Sequence, residues 1–263
     1  MTYEQILTET IGRVGVIRLN RPEKLNAWTD QMASEMATRI EAWNADDGVG
    51  AIVIAGEGRA FCAGADLQGF NQRLADDPEA QNRDRGMRVG TNWTRLIRES
   101  KPVIAAIHGY AVGVGLTMAL PCDVRYAAED TRLSIRFVRV GLVPELGSTR
   151  LLAQLVGLGH ATDICLSGRM VPADEAYRIG LVSAVVPKED LFATALAKAE
   201  EYANNPTAVV RKIKTLLNDN VTEPNLDRVM EREGARDRES RRLPSHEEAV
   251  TAFLEKREPV FNQ

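Results

Sequence analysis

The chain has 263 residues, 44% of them hydrophobic, and a net charge of −4 with both signs mixed along its length. That is ample for one large domain or two small ones, and the lack of any basic block argues against a dedicated nucleic-acid binder. Three cysteines (Cys62, Cys122 and Cys165) without a C-x-x-C indicate neither a disulfide framework nor a zinc site. MTYEQILTET shows no basic-then-apolar signal peptide, so a cytoplasmic location is expected.

Val14 to Leu19 reads as a strand, ended by Asn20-Arg21-Pro22. Thr29 is a helix N-cap candidate, and Met32, Met36, Ile40 and Trp43 then recur at helical spacing. Ala51 to Ala55 and Val103 to Ile107 are short apolar runs bounded by glycine or proline, as buried strands are. Strands alternating with helical patterns suggest an α/β fold. Residues 68 to 100 are polar and charged, the composition of a lid or surface segment, with a helical pattern near their end through Trp93, Leu96 and Ile97.

Pro102 to Cys122 carries no formal charge, long enough to suggest a membrane span. His108, Tyr110, Thr117, three glycines and Pro121 instead suit a strand, a glycine loop and a short helix, and no membrane partner is expected. After Gly147 the pattern is helical. Ala173 to Ile179 is a short helix stopped by Gly180, and Ser183 to Val186 a last strand before Pro187. From Lys188 onward the chain reads as helix broken at Pro206, Pro224 and Pro244, which sets a core at 1–199 and a helical region at 200–263.

Two loops of small residues follow buried strands: Ala60-Phe61-Cys62-Ala63-Gly64-Ala65-Asp66 and His108-Gly109-Tyr110-Ala111-Val112-Gly113-Val114-Gly115. Such loops let the backbone approach a ligand and leave N–H groups free, as an oxyanion hole or a phosphate cradle requires. Tight turns with no further role are the plainer explanation. Met118 stands where a dinucleotide motif needs a third glycine, and no G-K-[ST] follows.

With these loops the chain resembles the crotonase (enoyl-CoA hydratase/isomerase) superfamily along nearly its whole length. The matching segments are Asn20-Arg21-Pro22-Glu23-Lys24-Leu25-Asn26-Ala27, Phe61 to Leu67, Lys101 to Gly109, Cys122 to Ala127, Gly168-Arg169, Gly180-Leu181-Val182 and Ala252 to Arg257. The resemblance implies a spiral of ββα turns with two near-perpendicular sheets, a C-terminal helical trimerisation region, and a homotrimer or dimer of trimers. It implies an acyl-CoA thioester as substrate, with coenzyme A part of that substrate and no separate cofactor or metal. The thioester oxygen would lie between the N–H groups of Ala65 and Val114; family members usually have glycine at the latter place. Lys24, Leu25 and Ala63 fall at positions that contact CoA, and Phe253 and Lys256 at positions that reach a CoA on a neighbouring subunit.

A thioester activates its α-carbon because the charge of the lost proton moves onto the carbonyl oxygen, where each fixed donor is worth about 3–4 kcal/mol in the transition state. Catalysis then needs a base beside the α-carbon. Family hydratases use two glutamates. The resemblance places Thr117 at the first of those positions and Phe137, four residues before Gly141, at the second. Neither can act as a base at neutral pH. Glu145 lies eight residues after Phe137, and the resemblance places it where certain Δ3,Δ2-enoyl-CoA isomerases carry a glutamate and 4-chlorobenzoyl-CoA dehalogenases an aspartate. Apolar neighbours such as Phe137, Leu142 and Leu146 would raise its pKa. Glu145 could instead open the helix that follows, with Ser148 or Thr149 as the cap.

Asp66 is read as a tie for the Ala65 loop and His108 as a packing residue, while Arg136 and Arg139 are left unassigned. One carboxylate suffices to move a double bond from 3-enoyl- to 2-enoyl-CoA, which makes an isomerase the leading expectation. The alternatives are an atypical hydratase or a thioesterase- or dehalogenase-like hydrolase using Glu145, or an acyl-CoA-binding protein without activity.

Overall fold

The computed structural model describes residues 2–66 and 91–261. Most of the stretch expected as a lid, up to residue 90, lies outside the described residues. The chain opens with a hairpin, β1 (Ile6–Ile11) antiparallel to β2 (Val14–Leu19), turned at Gly12-Arg13 with Gly12 at φ 56°. Glycine takes that left-handed conformation without a Cβ clash, which a two-residue hairpin turn demands.

Helix α1 (Asp30–Ala45) starts at Thr29, whose hydroxyl accepts the Met32 N–H. Its Met32, Met36, Ile40 and Trp43 are buried as one stripe. Strand β3 (Ala51–Gly56) follows, and after the undescribed stretch come α2 (Thr91–Glu99), β4 (Val103–Ile107), β5 (Tyr110–Val112) and the one-turn helix α3 (Val114–Thr117). Next are β6 (Val124–Ala128), β7 (Arg132–Ser134), a 3-10 turn at Arg136–Val140 and α4 (Ser148–Ser167), kinked at Gly157. β8 (Val171–Pro172), α5 (Ala173–Arg178) and β9 (Ala184–Val186) complete the strands. The charge-free stretch is thus β4, β5 and α3, and no described helix is long and apolar enough to cross a membrane.

One sheet has the order β1-β2-β3-β4-β6-β9 and the other β5-β7-β8. From β2 to β9 the large sheet is parallel, and both its faces are covered. Alternate residues go to opposite cores, as period 2 requires. Val53, Ala55, Ile104 and Ala106 pack on α6 (Leu191–Ala203) through Ala195, Ala199 and Ala203, while Ile52, Ile54, Val103 and Ala105 join the α1 side. Helix α6 runs across residue 200 and lies on the sheet.

The C-terminal helices α7 (Thr207–Asn220), α8 (Leu226–Ser240) and α9 (Pro244–Glu255) begin at or just after Pro206, Pro224 and Pro244, the breaks expected from the sequence. Lys214 fastens α7 to the body. Its ammonium donates to Ile97 O, Lys101 O and the Asp123 carboxylate, and the last also accepts the Val103 N–H.

Candidate active site

Two backbone bridges build the site. Trp28 pairs with Ala65: its N–H donates to Gly64 O at 2.8 Å and its carbonyl accepts the Asp66 N–H at 3.0 Å. In β pairing, successive N–H groups point to opposite sides, so the N–H of Ala65 itself is turned away from Trp28. The second bridge joins Cys62 to Ala111, with Cys62 N–H donating to Tyr110 O and Val112 N–H to Cys62 O. It lays the Ala65 loop against the strand that leads into α3.

The approach is too close for side chains. A Cβ on Gly115 would meet Cys62 O at 2.1 Å, and one on Gly64, at φ 114°, would meet Val112 O at 3.2 Å. Val114 opens α3, so its N–H has no acceptor within the helix. Among the described residues neither Ala65 nor Val114 donates its N–H to a backbone carbonyl.

The loop is tied beneath by Arg21, which donates to Asp66 Oδ2 at 2.9 Å and to Ala27 O at 2.6 Å. Asn26 is fully buried; its Oδ1 accepts the Arg21 N–H and its Nδ2 donates to Glu57 O and Ala60 O. The tie expected of Asp66 is therefore an ion pair. Arg21 was missed as its partner, and Asn26 as the residue that holds the Arg21 backbone, although both stand in the quoted segment 20–27. Leu25 O accepts the Ala63 N–H at 3.0 Å, which brings two of the expected CoA contacts together beside exposed Lys24. Phe253, 82% exposed, stands on α9 and Lys256 caps its C-terminal end, and among the described residues neither is hydrogen-bonded to this cluster.

Glu145 reaches the site from the segment after the 3-10 turn. Its Oε1 accepts the Thr117 hydroxyl at 2.5 Å. It is half-buried. Burial pushes its carboxyl above the ordinary range, and the Thr117 bond, which favours the charged form, works against that. Glu145 therefore does not cap α4 with its side chain. Neither do Ser148 nor Thr149: the cap is Gly147, in left-handed conformation, without a side-chain bond. Ser148 is instead inside the helix, with a buried hydroxyl that has no partner among the described residues. Leu146 also lies at φ 58°, a conformation that costs a non-glycine residue about 1–2 kcal/mol. It is held there by burial and by Thr94, whose hydroxyl donates to Leu146 O at 2.7 Å.

Phe137 lies in the 3-10 turn, not a strand, packs on the main core and accepts the Leu142 N–H with its carbonyl. Trp93 on α2 donates its indole N–H to Met118 O just after α3 and meets Trp28 edge-on. His108 is buried with Nε2 3.1 Å from Gly58 O, a packing role. Arg139 donates to Ser167 O and Arg136 is exposed. Cys62, although next to the loop, is no nucleophile, because burial pushes its thiol up to about 12. Among the described residues the cluster thus holds two N–H groups without a backbone acceptor and a carboxylate bonded to Thr117, an arrangement that can hold an oxyanion and move a proton.

A family model described as enoyl-CoA hydratase/isomerase matches residues 9–263. The chain is 35% identical over 262 residues to the 1,2-epoxyphenylacetyl-CoA isomerase of Escherichia coli K12, covering 98% of each. It is 33% identical to a mitochondrial enoyl-CoA hydratase of Pongo abelii, over 98% of this chain and 88% of that one. Among solved structures, an enoyl-CoA hydratase of Bacillus anthracis superposes with a TM-score of 0.91 at 30% identity, covering 98% of this chain and 99% of that one.

Proposed function

This chain belongs to the enoyl-CoA hydratase/isomerase family of acyl-CoA enzymes, and from that premise we propose that it converts a 3-enoyl-CoA to the 2-enoyl-CoA, with Glu145 as its proton carrier. The ionised carboxylate takes a proton from C2. The electron pair moves toward the thioester carbonyl, and the charge comes to rest on its oxygen between the N–H groups of Ala65 and Val114. The resulting dienolate collapses as the same carboxyl returns the proton to C4, leaving the double bond between C2 and C3. No electron enters or leaves and no water is consumed, so the step calls for no cofactor beyond the CoA of the substrate. Lys24, Leu25 and Ala63 would hold that CoA. Phe253 and Lys256 would touch the CoA of a neighbouring copy in a trimer built through the helices of 200–263.

The observation that carries this reading is the pairing of the Glu145 carboxylate with Thr117 among the described residues. Glu145 is hydrogen-bonded to a threonine standing where family hydratases place one acid, and Phe137 stands at the place of the other. Asp66, the acid in the Ala65 loop, is engaged by Arg21. Glu145→Gln should lower turnover of a straight-chain 3-enoyl-CoA by about 10³-fold, within the range for a lost general base, while a non-reactive acyl-CoA binds almost as before. Undiminished turnover would sink the assignment.

The hydratase name of the Pongo abelii relative favours a second reading, in which Glu145 activates water for addition or hydrolysis. Turnover in 18O-labelled water separates the two, because only the second puts label into the product. Acyl-CoA binding with no turnover of any enoyl-CoA would leave a binding protein.

A further inference from the structure

We infer that Thr117 is the positioning residue of this site: its hydroxyl fixes one carboxylate oxygen of Glu145 and leaves the other to carry the proton. The inference rests on Glu145 being the base.

Glu145 and Thr117 are 28 positions apart, on separately built segments. The Glu145 segment is shaped by Leu146 at φ 58°, by the Thr94 bond to Leu146 O and by the Ser148 N–H bond to Glu145 O. Thr117 ends the single turn of α3, which Gly113 starts by donating to Ser134 O. Among the described residues, the Thr117 hydroxyl makes the hydrogen bond that joins these two pieces at the carboxylate itself.

The position of Thr117 on α3 gives that bond a consequence. Val114 and Thr117 are at i and i+3, on one face and about 4.5 Å apart along the helix axis. Helix N–H groups and Cα–Cβ bonds both lean toward the helix N-terminus. The free N–H of Val114 and the hydroxyl of Thr117 therefore face the same end of one rigid turn. A thioester oxygen held by the first has its α-carbon two bonds away, so a carboxylate held by the second is set against that carbon. Without the bond, the base and the oxyanion hole would belong to independent segments.

The hydroxyl has a local alternative and declines it. It lies 3.5 Å from Val114 O, at the limit of a hydrogen bond, against 2.5 Å to Glu145. Thr117 is fully buried, so water does not compete for its proton. The bond survives both states of Glu145, because the acid form keeps an acceptor oxygen toward Thr117 while the other oxygen holds the proton. It favours the ionised state, the one that acts as base, against the pull of burial. Among the described residues, the charged groups on the surrounding elements are engaged or exposed. Arg139 donates to Ser167 O, Arg95 pairs with Glu99, Arg98 donates to Asn218 O, Asp66 pairs with Arg21, and Arg136 and Arg150 are exposed.

The test uses Thr117→Val, which keeps the shape and removes the hydroxyl, and Thr117→Ser, which keeps the hydroxyl. For 3-enoyl-CoA, Thr117→Val should lower kcat roughly 10- to 100-fold, the worth of a hydrogen bond to a charged group, with KM within a few-fold. It should also move the acid limb of the kcat profile to higher pH, and Thr117→Ser should restore both. Unchanged kcat with an unmoved acid limb, or an equal loss in Thr117→Ser, overturns the inference. A second measurement needs no substrate. The pH at which the Tm difference between the unaltered protein and Glu145→Gln levels off reports the titration of Glu145 in the folded state, and it should rise when Thr117→Val is present. No rise overturns the role of Thr117, whereas absence of 3-enoyl-CoA turnover in the unaltered enzyme overturns the isomerase reading alone.

Discussion

Replacing Gly115 with alanine should cripple catalysis without touching any charged or catalytic side chain. Gly115 has an ordinary helical backbone, so the new methyl brings no φ strain; its whole effect is steric. The added Cβ would stand 2.1 Å from Cys62 O, against 3.4 Å for ordinary contact, and 2.9 Å from both the Cys62 carbonyl carbon and Cβ. The atoms in the way are mostly backbone, so the two loops must separate by about 1.3 Å. Those loops carry the N–H groups of Ala65 and Val114. Oxyanion donors act at roughly 2.7–3.1 Å, and loss of one costs about 10²–10³ in kcat. Gly115→Ala should therefore lower kcat for 3-enoyl-CoA by at least about 10²-fold, with the folded fraction checked by near-UV circular dichroism. Gly159→Ala is the control: nothing lies within 4 Å of its Cβ and it sits in α4. There alanine should leave kcat unchanged and improve the helix by up to about 1 kcal/mol. A folded Gly115→Ala enzyme with full kcat would refute the proposed oxyanion hole.

Two further outcomes concern stability. The pKa of Glu145 is raised by burial above the ordinary 4.5. The unfolded chain then ionises first, and the folded state loses stability as pH rises from the ordinary value through the raised one. Glu145→Gln should accordingly have a higher Tm than the unaltered protein at neutral pH, with the difference vanishing at pH 4 and below; a constant difference across pH would contradict the buried setting. Lys214→Met should destabilise the protein by roughly 1–3 kcal/mol in urea unfolding, because it removes the donor shared by the Ile97 and Lys101 carbonyls and the Asp123 carboxylate. Adding Asp123→Asn should recover part of that loss.

Much of the scaffold was legible because its signals are local. The Thr29 cap, the Met32-Met36-Ile40-Trp43 stripe and the apolar runs of β3 and β4 obey one period each. The proline breaks of the C-terminal helices need no tertiary partner to be read. The small sheet was not legible: β5, β7 and β8 have three, three and two residues, too short for any period to show. β1 was also missed, since one of its six side chains is buried and the sequence ILTETI gives it no apolar alternation. Glu145 could be singled out from its apolar setting and from the resemblance. Its partner could not, because the Thr117 bond joins residues 28 apart and depends on how two loops fold. The expected caps Ser148 and Thr149 failed for a related reason. A tertiary contact from Thr94 holds Leu146, next to left-handed Gly147, and the helix starts one residue earlier than a serine cap would place it.

The account stands most directly on where the proton goes. A 3-enoyl-CoA carrying deuterium at C2, turned over in 18O-labelled water, should yield 2-enoyl-CoA with deuterium at C4 and no 18O, and Glu145→Gln should abolish the transfer. Product that carries 18O, or the same transfer with Glu145→Gln, would contradict it.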